Sequence, residues 1–152
     1  MPNTYSQIYI QIVFAVKGRE SVIKENFREE LQKYISGIIS NRNQKLFAIH
    51  CMPDHVHILV SIKPDIAISN LVRDIKANSS SFIKEKEFVK KFSWQEGYGA
   101  FSYSKAQAPI VVNYILNQPE HHRKTTFKEE YLKMLQDFGI DYNEKYLFEF
   151  YE

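Results

Sequence analysis

Pro53-Asp54 separates two extended runs, Leu46 to Met52 and His55 to Ile62, and this arrangement restricts the fold more than any other feature. A turn-forming pair between two runs of strand length predicts a hairpin, and so antiparallel pairing. In the second run Val56, Ile58, Val60 and Ile62 alternate with His55 and His57. Residues two apart on a strand share a face, so the apolar set anchors a core while both imidazoles project together from the other side. With only two residues in the turn, His50 lies across from His57. Neighbouring imidazoles on a rigid strand can grip a divalent metal, although H-x-H by itself also fits a half-exposed strand that binds nothing.

The rest of the chain supplies partners for this hairpin. Ile8, Ile10, Ile12, Phe14 and Val16 alternate with Tyr9, Gln11, Val13 and Ala15, which predicts a strand ended by Lys17-Gly18-Arg19. Phe27, Leu31, Tyr34, Ile35, Ile38 and Ile39 recur at helical spacing, so a helix is expected from Ser21 to about Ser40. A second helix is expected within Ile66 to Lys91, with Ser79-Ser80-Ser81 as a small-residue contact. Trp94 to Ser104, with Gly97 and Gly99, reads as a turn followed by a short strand. The next helix ends near Gln118, and two signals compete for its start: the capping-box spacing of Ser104 and Gln107, and Pro109, which suits a first turn. Pro119 predicts a break, after which one helix is expected from Glu120 to Phe138, stopping at Gly139. The aromatic tail from Asp141 to Glu152 is expected to pack.

The order β-α-β-β-α-β followed by helices is that of an α+β, ferredoxin-like (RRM-like) antiparallel sheet with helices on one face. Its other face, or its edge, is left for a ligand. The length suits one domain over residues 1–152, and 44% hydrophobic content supports a folded core.

Charge is less informative, since the formal net charge is only +2. Lys63 to Lys91 is mildly basic, which suits a phosphate backbone or a solvated helix face equally. Cys51 stands alone, so no intrachain disulfide can form and a reducing cytoplasm is the expected compartment. The apolar run Ile8 to Val16 is too short to span a membrane and lacks the marks of a signal peptide.

A second constellation lies in Pro109-Ile-Val-Val-Asn-Tyr114-Ile-Leu-Asn-Gln118-Pro-Glu-His-His122. Tyr114 and Gln118 stand four apart and project from one helix face. Gln118 offers a carbonyl oxygen as a third ligand beside two imidazoles. Tyr114 offers a phenol, a poor nucleophile at neutral pH that can still attack a phosphodiester polarised by a metal. For an isolated pair, a packing tyrosine and a capping glutamine remain the alternative.

Met-Pro-Asp-His55-Val-His57-Ile-Leu-Val and Tyr114-Ile-x-x-Gln118-x-x-His-His resemble the single-tyrosine transposases of the HUH nuclease superfamily, REP-associated tyrosine transposases among them. The likeness extends to Leu71-Val-Arg-Asp-Ile-Lys-Ala-Asn-Ser-Ser80, Trp94-Gln-Glu-Gly-Tyr-Gly-Ala-Phe-Ser102 and Phe127-Lys-Glu-Glu-Tyr131, and covers nearly the whole chain. The resemblance implies a bacterial enzyme that cuts and rejoins single-stranded DNA at hairpin-marked insertion-sequence ends. It implies metal ligation by His55, His57 and Gln118, with Mg²⁺ or Mn²⁺ as cofactor. Tyr114 would form a 5′-phosphotyrosine link and leave a free 3′-OH. A homodimer is implied too, in which the tyrosine helix can serve a partner's metal site, and the tyrosine rides on the C-terminal helices. The residues that read DNA stay unassigned.

His121-His122 fits a polar helix start or a phosphate contact, and Asp54 fits a turn or a group orienting a histidine. A histidine-triad hydrolase needs a third histidine at position 59, where this chain has Leu59. A non-catalytic or domesticated single-stranded nucleic-acid-binding module on the same scaffold is the remaining alternative.

Overall fold

The computed structural model describes residues 3–17 and 22–148. Four strands form one sheet: β1 (Tyr9–Ala15), β2 (Lys45–Cys51), β3 (His55–Ser61) and β4 (Gly99–Tyr103). Their order is β2-β3-β1-β4, with every neighbouring pair antiparallel. Helices α1 (Glu25–Asn41) and α2 (Ile68–Glu85) supply the two crossovers, completing the expected ferredoxin-like α+β topology. The hairpin turns through Pro53 and Asp54, closed by Met52 N–H donating to the His55 carbonyl at 2.8 Å. His50 therefore pairs in register with His57.

Alternation assigns the faces. Ile10, Ile12 and Phe14 of β1 and Val56, Ile58 and Val60 of β3 meet Phe27, Leu31 and Ile35 of α1 and Leu71 and Ile75 of α2. Full burial of each such side chain contributes about 1.5–3 kcal/mol. Ser79 is buried on α2 and accepts from Trp94 Nε1 at 3.0 Å, so the serine run meets the segment before β4 through a hydrogen bond.

The opposite face is not left open. Helix α3 (Ala108–Leu116) covers one half through Ala108, Val111 and Ile115 against Ala48 and Leu59. Helix α5 (Phe127–Asp137) covers the other half, its Tyr131 lying over Gly99. A β-carbon at Gly99 would come within 2.9 Å of the Tyr131 ring and hydroxyl, so only glycine permits this approach.

The single helix expected from Glu120 to Phe138 is instead two. A short helix α4 (Gln118–His121) ends at His122, and α5 begins anew after Thr126. Thr126 caps α5 in a reciprocal capping box with Glu129, which ends any continuous helix through this point. Gly139, at φ +64°, terminates α5 as expected. Both competing signals for α3 hold: Ser104 and Gln107 bond reciprocally, and Pro109 sits in the first turn. The tail packs through Phe148, whose ring lies 4.8 Å from that of Tyr131, while Tyr142 and Tyr146 are exposed. Residues 18 and 19 of the expected first turn, the helix start at Ser21 and the last four residues lie outside the described residues. Among the described residues, no helix is long and apolar enough to cross a membrane.

Candidate active site

Strand β3 presents His55 and His57 from the face that α3 and α5 cover, and both are essentially removed from solvent. Each ring is pinned at Nδ1. His55 Nδ1 lies 2.7 Å from Asp54 Oδ1, and His57 Nδ1 lies 2.8 Å from Gln11 Oε1. The Gln11 amide donates in turn to the Tyr103 hydroxyl at 2.8 Å. Oxygen acceptors at both Nδ1 positions make them N–H donors and leave both Nε2 lone pairs facing inward. Asp54 thus orients a histidine as well as making the turn. Its carboxyl, which burial alone would raise, is held below the usual range by the His55 hydrogen bond and charge. His55 is shifted down, chiefly by burial. Its ring also lies flat on Phe127, centroids 3.9 Å apart.

Tyr114 and Gln118 arrive from above. Asn117 interrupts the helix between them, yet Asn117 N–H still reaches the Asn113 carbonyl and His121 N–H the Asn117 carbonyl, both at 3.0 Å. The turn is nearly preserved, so both side chains point into the same space. Gln118 is fully buried, with Oε1 3.4 Å from His55 Nε2. The Tyr114 ring meets His57 edge-on, centroids 5.8 Å apart, within the same chain. The four residues expected from sequence are therefore brought together.

A fifth group at the centre was not anticipated. Glu130 of α5 is 3% exposed and gathers nearly every polar atom of the site. Its Oε1 lies 3.1 Å from both His57 Nε2 and His122 Nε2, and 3.8 Å from His55 Nε2. Its Oε2 accepts from Gln118 Nε2 at 2.8 Å and from the Tyr114 hydroxyl, with His121 Nε2 at 3.4 Å. Burial opposes ionisation of Glu130, but the hydrogen bond from His122 and the nearness of His57 and His55 outweigh it and hold the carboxyl far below its ordinary range. Tyr114 moves the other way: burial, then the Glu130 charge, raises the phenol far above its ordinary value. His121 and His122 are not the start of the last helix; they end α4 and face Glu130. His50 takes no part, its Nε2 buried without a hydrogen-bond partner. The signal for Glu130 was a carboxylate at the centre of an otherwise apolar stripe formed by Phe127, Tyr131, Met134 and Leu135. Gln11 was likewise a polar residue on a strand face that proves to be buried.

Chemically, the Nε2 atoms of His57 and His55 lie 3.1 and 3.8 Å from one carboxylate oxygen, and the Gln118 amide oxygen lies 3.4 Å from His55 Nε2. Acceptors crowded together without solvent need protons or a cation between them. His55, His122 and Glu130 can each place a ligand atom within 4.8 Å of the other two, and His57 approaches the same carboxylate more closely than His55 does. The residues present fit a divalent ion. A cavity of about 610 Å³ opens beside them, lined by Gln11, Tyr103, Tyr114, Glu130, Lys133 and Phe138, which gives a substrate access to the phenol.

The IS200-like transposase family model matches residues 4–118. The chain is 25% identical over 118 residues to the ISDra2 transposase TnpA of Deinococcus radiodurans, covering 74% of this chain and 84% of that protein. It is 27% identical over 118 residues to the transposase for insertion sequence element IS200 of Salmonella typhimurium, covering 74% and 77%. Among solved structures, one described as a transposase from Deinococcus radiodurans R1 superposes with a TM-score of 0.64 at 22% identity, over 76% of this chain and 94% of that one. A REP-associated tyrosine transposase bound to a REP hairpin superposes with a TM-score of 0.60 at 19% identity, over 79% and 72%. With both histidines, the tyrosine and the glutamine inside the matched residues, the chain belongs to the IS200-like transposase family.

Proposed function

We propose that this transposase cleaves and rejoins single-stranded DNA at insertion-sequence ends through a 5′-phosphotyrosine on Tyr114. In this reading Mg²⁺ or Mn²⁺ is held by His55 Nε2, His57 Nε2 and Gln118 Oε1. The convergence of those acceptors beside the Tyr114 hydroxyl carries the proposal. When bound, the ion supplies Lewis-acid polarisation of the scissile phosphate.

The chain's own groups do the rest. Asp54 and Gln11 fix the histidine rings so that both Nε2 atoms face Glu130 Oε1. Tyr114 Oη forms a bond to phosphorus while the bond to the 3′ oxygen breaks, and that oxygen leaves as a free 3′-OH. The phenolic proton passes along the hydrogen bond to Glu130 Oε2 and on to the departing 3′ oxygen, so Glu130 ends the step ionised as it began it. Because burial and the Glu130 charge hold the phenol protonated, tyrosine is unreactive until a polarised phosphate sits against it. Attack by a 3′-OH on the phosphotyrosine reverses the step and reseals DNA without ATP.

Substrate form and assembly belong to the same proposal. The likeness to a transposase bound to a REP hairpin supports hairpin-bearing single strands as substrate. A homodimer is supported by Ile110 and Leu116, apolar residues of α3 that are 69% and 54% exposed. Asn117 and the segment after β4 then serve as pivots that let the tyrosine helix act on its own sheet or on a partner's. The test is a denaturing gel with labelled hairpin-bearing strands and Mn²⁺: wild type should form a covalent adduct that Tyr114→Phe does not. Binding without any adduct in wild type would replace the enzyme with a nucleic-acid-binding module.

A further inference from the structure

We infer that Glu130 Oε1 is a fourth protein ligand to the divalent ion, completing the set His55, His57 and Gln118. The inference rests on reading that set as a metal site. Glu130 lies beyond residues 4–118, so the family match assigns it nothing.

Geometry is the first support. Donor atoms around Mg²⁺ or Mn²⁺, at about 2.1 Å from the ion, stand about 3 Å apart when adjacent and about 4 Å apart when opposite. Glu130 Oε1 is 3.1 Å from His57 Nε2 and 3.8 Å from His55 Nε2, and Gln118 Oε1 is 3.4 Å from His55 Nε2. The 3.1 Å separation matches adjacent positions, and the 3.4 and 3.8 Å separations lie between the two values, within reach of small side-chain adjustments around an ion. The carboxylate is also held in place from its other side. His122 occupies one lone pair of Oε1, leaving the second for an ion, while the Gln118 amide and Tyr114 hydroxyl occupy Oε2. The contact to Gln118 Nε2 is what turns Gln118 Oε1 toward the histidines.

Chemistry is the second support. Two imidazoles and an amide suit a borderline metal, whereas a carboxylate makes the set suit Mg²⁺ or Mn²⁺. Charge points the same way. The site is dry, and a divalent cation among neutral ligands would bury two positive charges. Glu130 supplies one negative charge beside the ion and a phosphodiester supplies the other, with the partly exposed Asp54 carboxylate farther out behind His55. A different use of the same contacts is a plug, in which the carboxylate fills the place of the substrate phosphate and leaves when DNA binds.

The experiment titrates Mn²⁺ into the full chain, read by the signal of free Mn²⁺ in electron paramagnetic resonance, for wild type, Glu130→Gln and His57→Ala. Glu130→Gln keeps the shape and should weaken Mn²⁺ binding by about tenfold or more. Unchanged or tighter binding, the result a plug requires, overturns the inference while leaving the histidine site intact. Should no protein bind Mn²⁺ at all, the metal reading itself falls and this inference with it. If Glu130→Gln fails to fold, wild-type crystals soaked in Mn²⁺ decide by anomalous scattering. An ion about 2.2 Å from Glu130 Oε1 supports ligation, and one more than roughly 3.5 Å away overturns it.

Discussion

Replacing Asp54 by alanine tests the proposed metal site through the contact that orients His55. The side chain makes one polar contact that matters here, Oδ1 to His55 Nδ1 at 2.7 Å, and the turn itself is held by backbone bonds that alanine keeps. Two effects follow from its loss. An unanchored imidazole divides between two tautomers, which removes the Nε2 lone pair from half the population and costs about twofold in affinity. The lost charge matters more. Adding the 2.7 Å hydrogen bond, the ring and a metal–nitrogen bond places the carboxylate roughly 7 Å from the ion. Asp54 is partly exposed, so an effective dielectric of roughly 40–80 applies, and the lost attraction is about 1–2.5 kcal/mol. That corresponds to about fivefold to seventyfold weaker binding, in line with other groups that orient metal-bound histidines. Orientation contributes less, because Phe127 still supports the ring from below.

Calorimetric titration of Mn²⁺ into wild type, Asp54→Ala and Asp54→Asn separates these effects. Asparagine keeps the acceptor and loses the charge, so it should fall close to alanine if the Coulomb effect dominates. A change of less than about threefold in a folded Asp54→Ala protein would refute the reasoning. The metal-free proteins give a second check. A carboxyl whose folded value lies below its ordinary 3.8 stabilises the fold above that pH and loses its contribution as pH falls through the folded value. The melting temperatures of wild type and Asp54→Ala should therefore differ at neutral pH and converge on acidification.

Mixing Tyr114→Phe with His57→Ala, after exchange is verified with tagged subunits, should restore cleavage if the tyrosine helix serves a partner's site; no restoration would mean that each chain completes its own. Gly99→Ala forces a β-carbon against Tyr131 and should cost about 1–3 kcal/mol, lowering the melting temperature by roughly 2–12 °C in a thermal scan. The Cys51 thiol is buried and pushed up to about 12 by that burial, so it should not react with a thiol reagent at pH 8 until denaturant is added. A fast native reaction would mean that the β2 edge opens readily.

The hairpin and the H-x-H face were legible because period-two alternation and turn chemistry act over a few residues. Tyr114 and Gln118 were legible despite the break at Asn117, since the backbone keeps almost the pitch of an unbroken turn. Three features were not legible, for different reasons. Register shifts between Leu46 and Ala48, leaving Phe47 half-exposed, and no turn residue or glycine signals that irregularity. The helix break before Phe127 was signalled by Thr126 and Glu129, but the apolar spacing that follows Glu120 masked the capping box. Glu130 meets His57 across 73 residues, and only the packing of α5 on β1 and β4 creates that meeting.

Glu130 also shows what kind of local signal a distant partnership leaves. A carboxylate in the middle of a buried stripe is too costly to persist unless the fold supplies donors or a cation. Here the fold supplies donors from His122 on one oxygen and from Gln118 and Tyr114 on the other, with the His57 and His55 Nε2 atoms nearby to share a cation. The same carboxylate therefore fixes Tyr114, Gln118 and the covering helix relative to the histidine strand. Rigid β3 sets where the histidines point, whereas α3, α4 and α5 reach the site from separate elements joined by breaks at Asn117 and Thr126. A shift of α5 alone would release Tyr114 and Gln118 together while leaving His55 and His57 pinned by Asp54 and Gln11. Any movement of the tyrosine helix to a second sheet would have to break these Glu130 contacts together with the packing of Ala108, Val111 and Ile115 on Ala48 and Leu59.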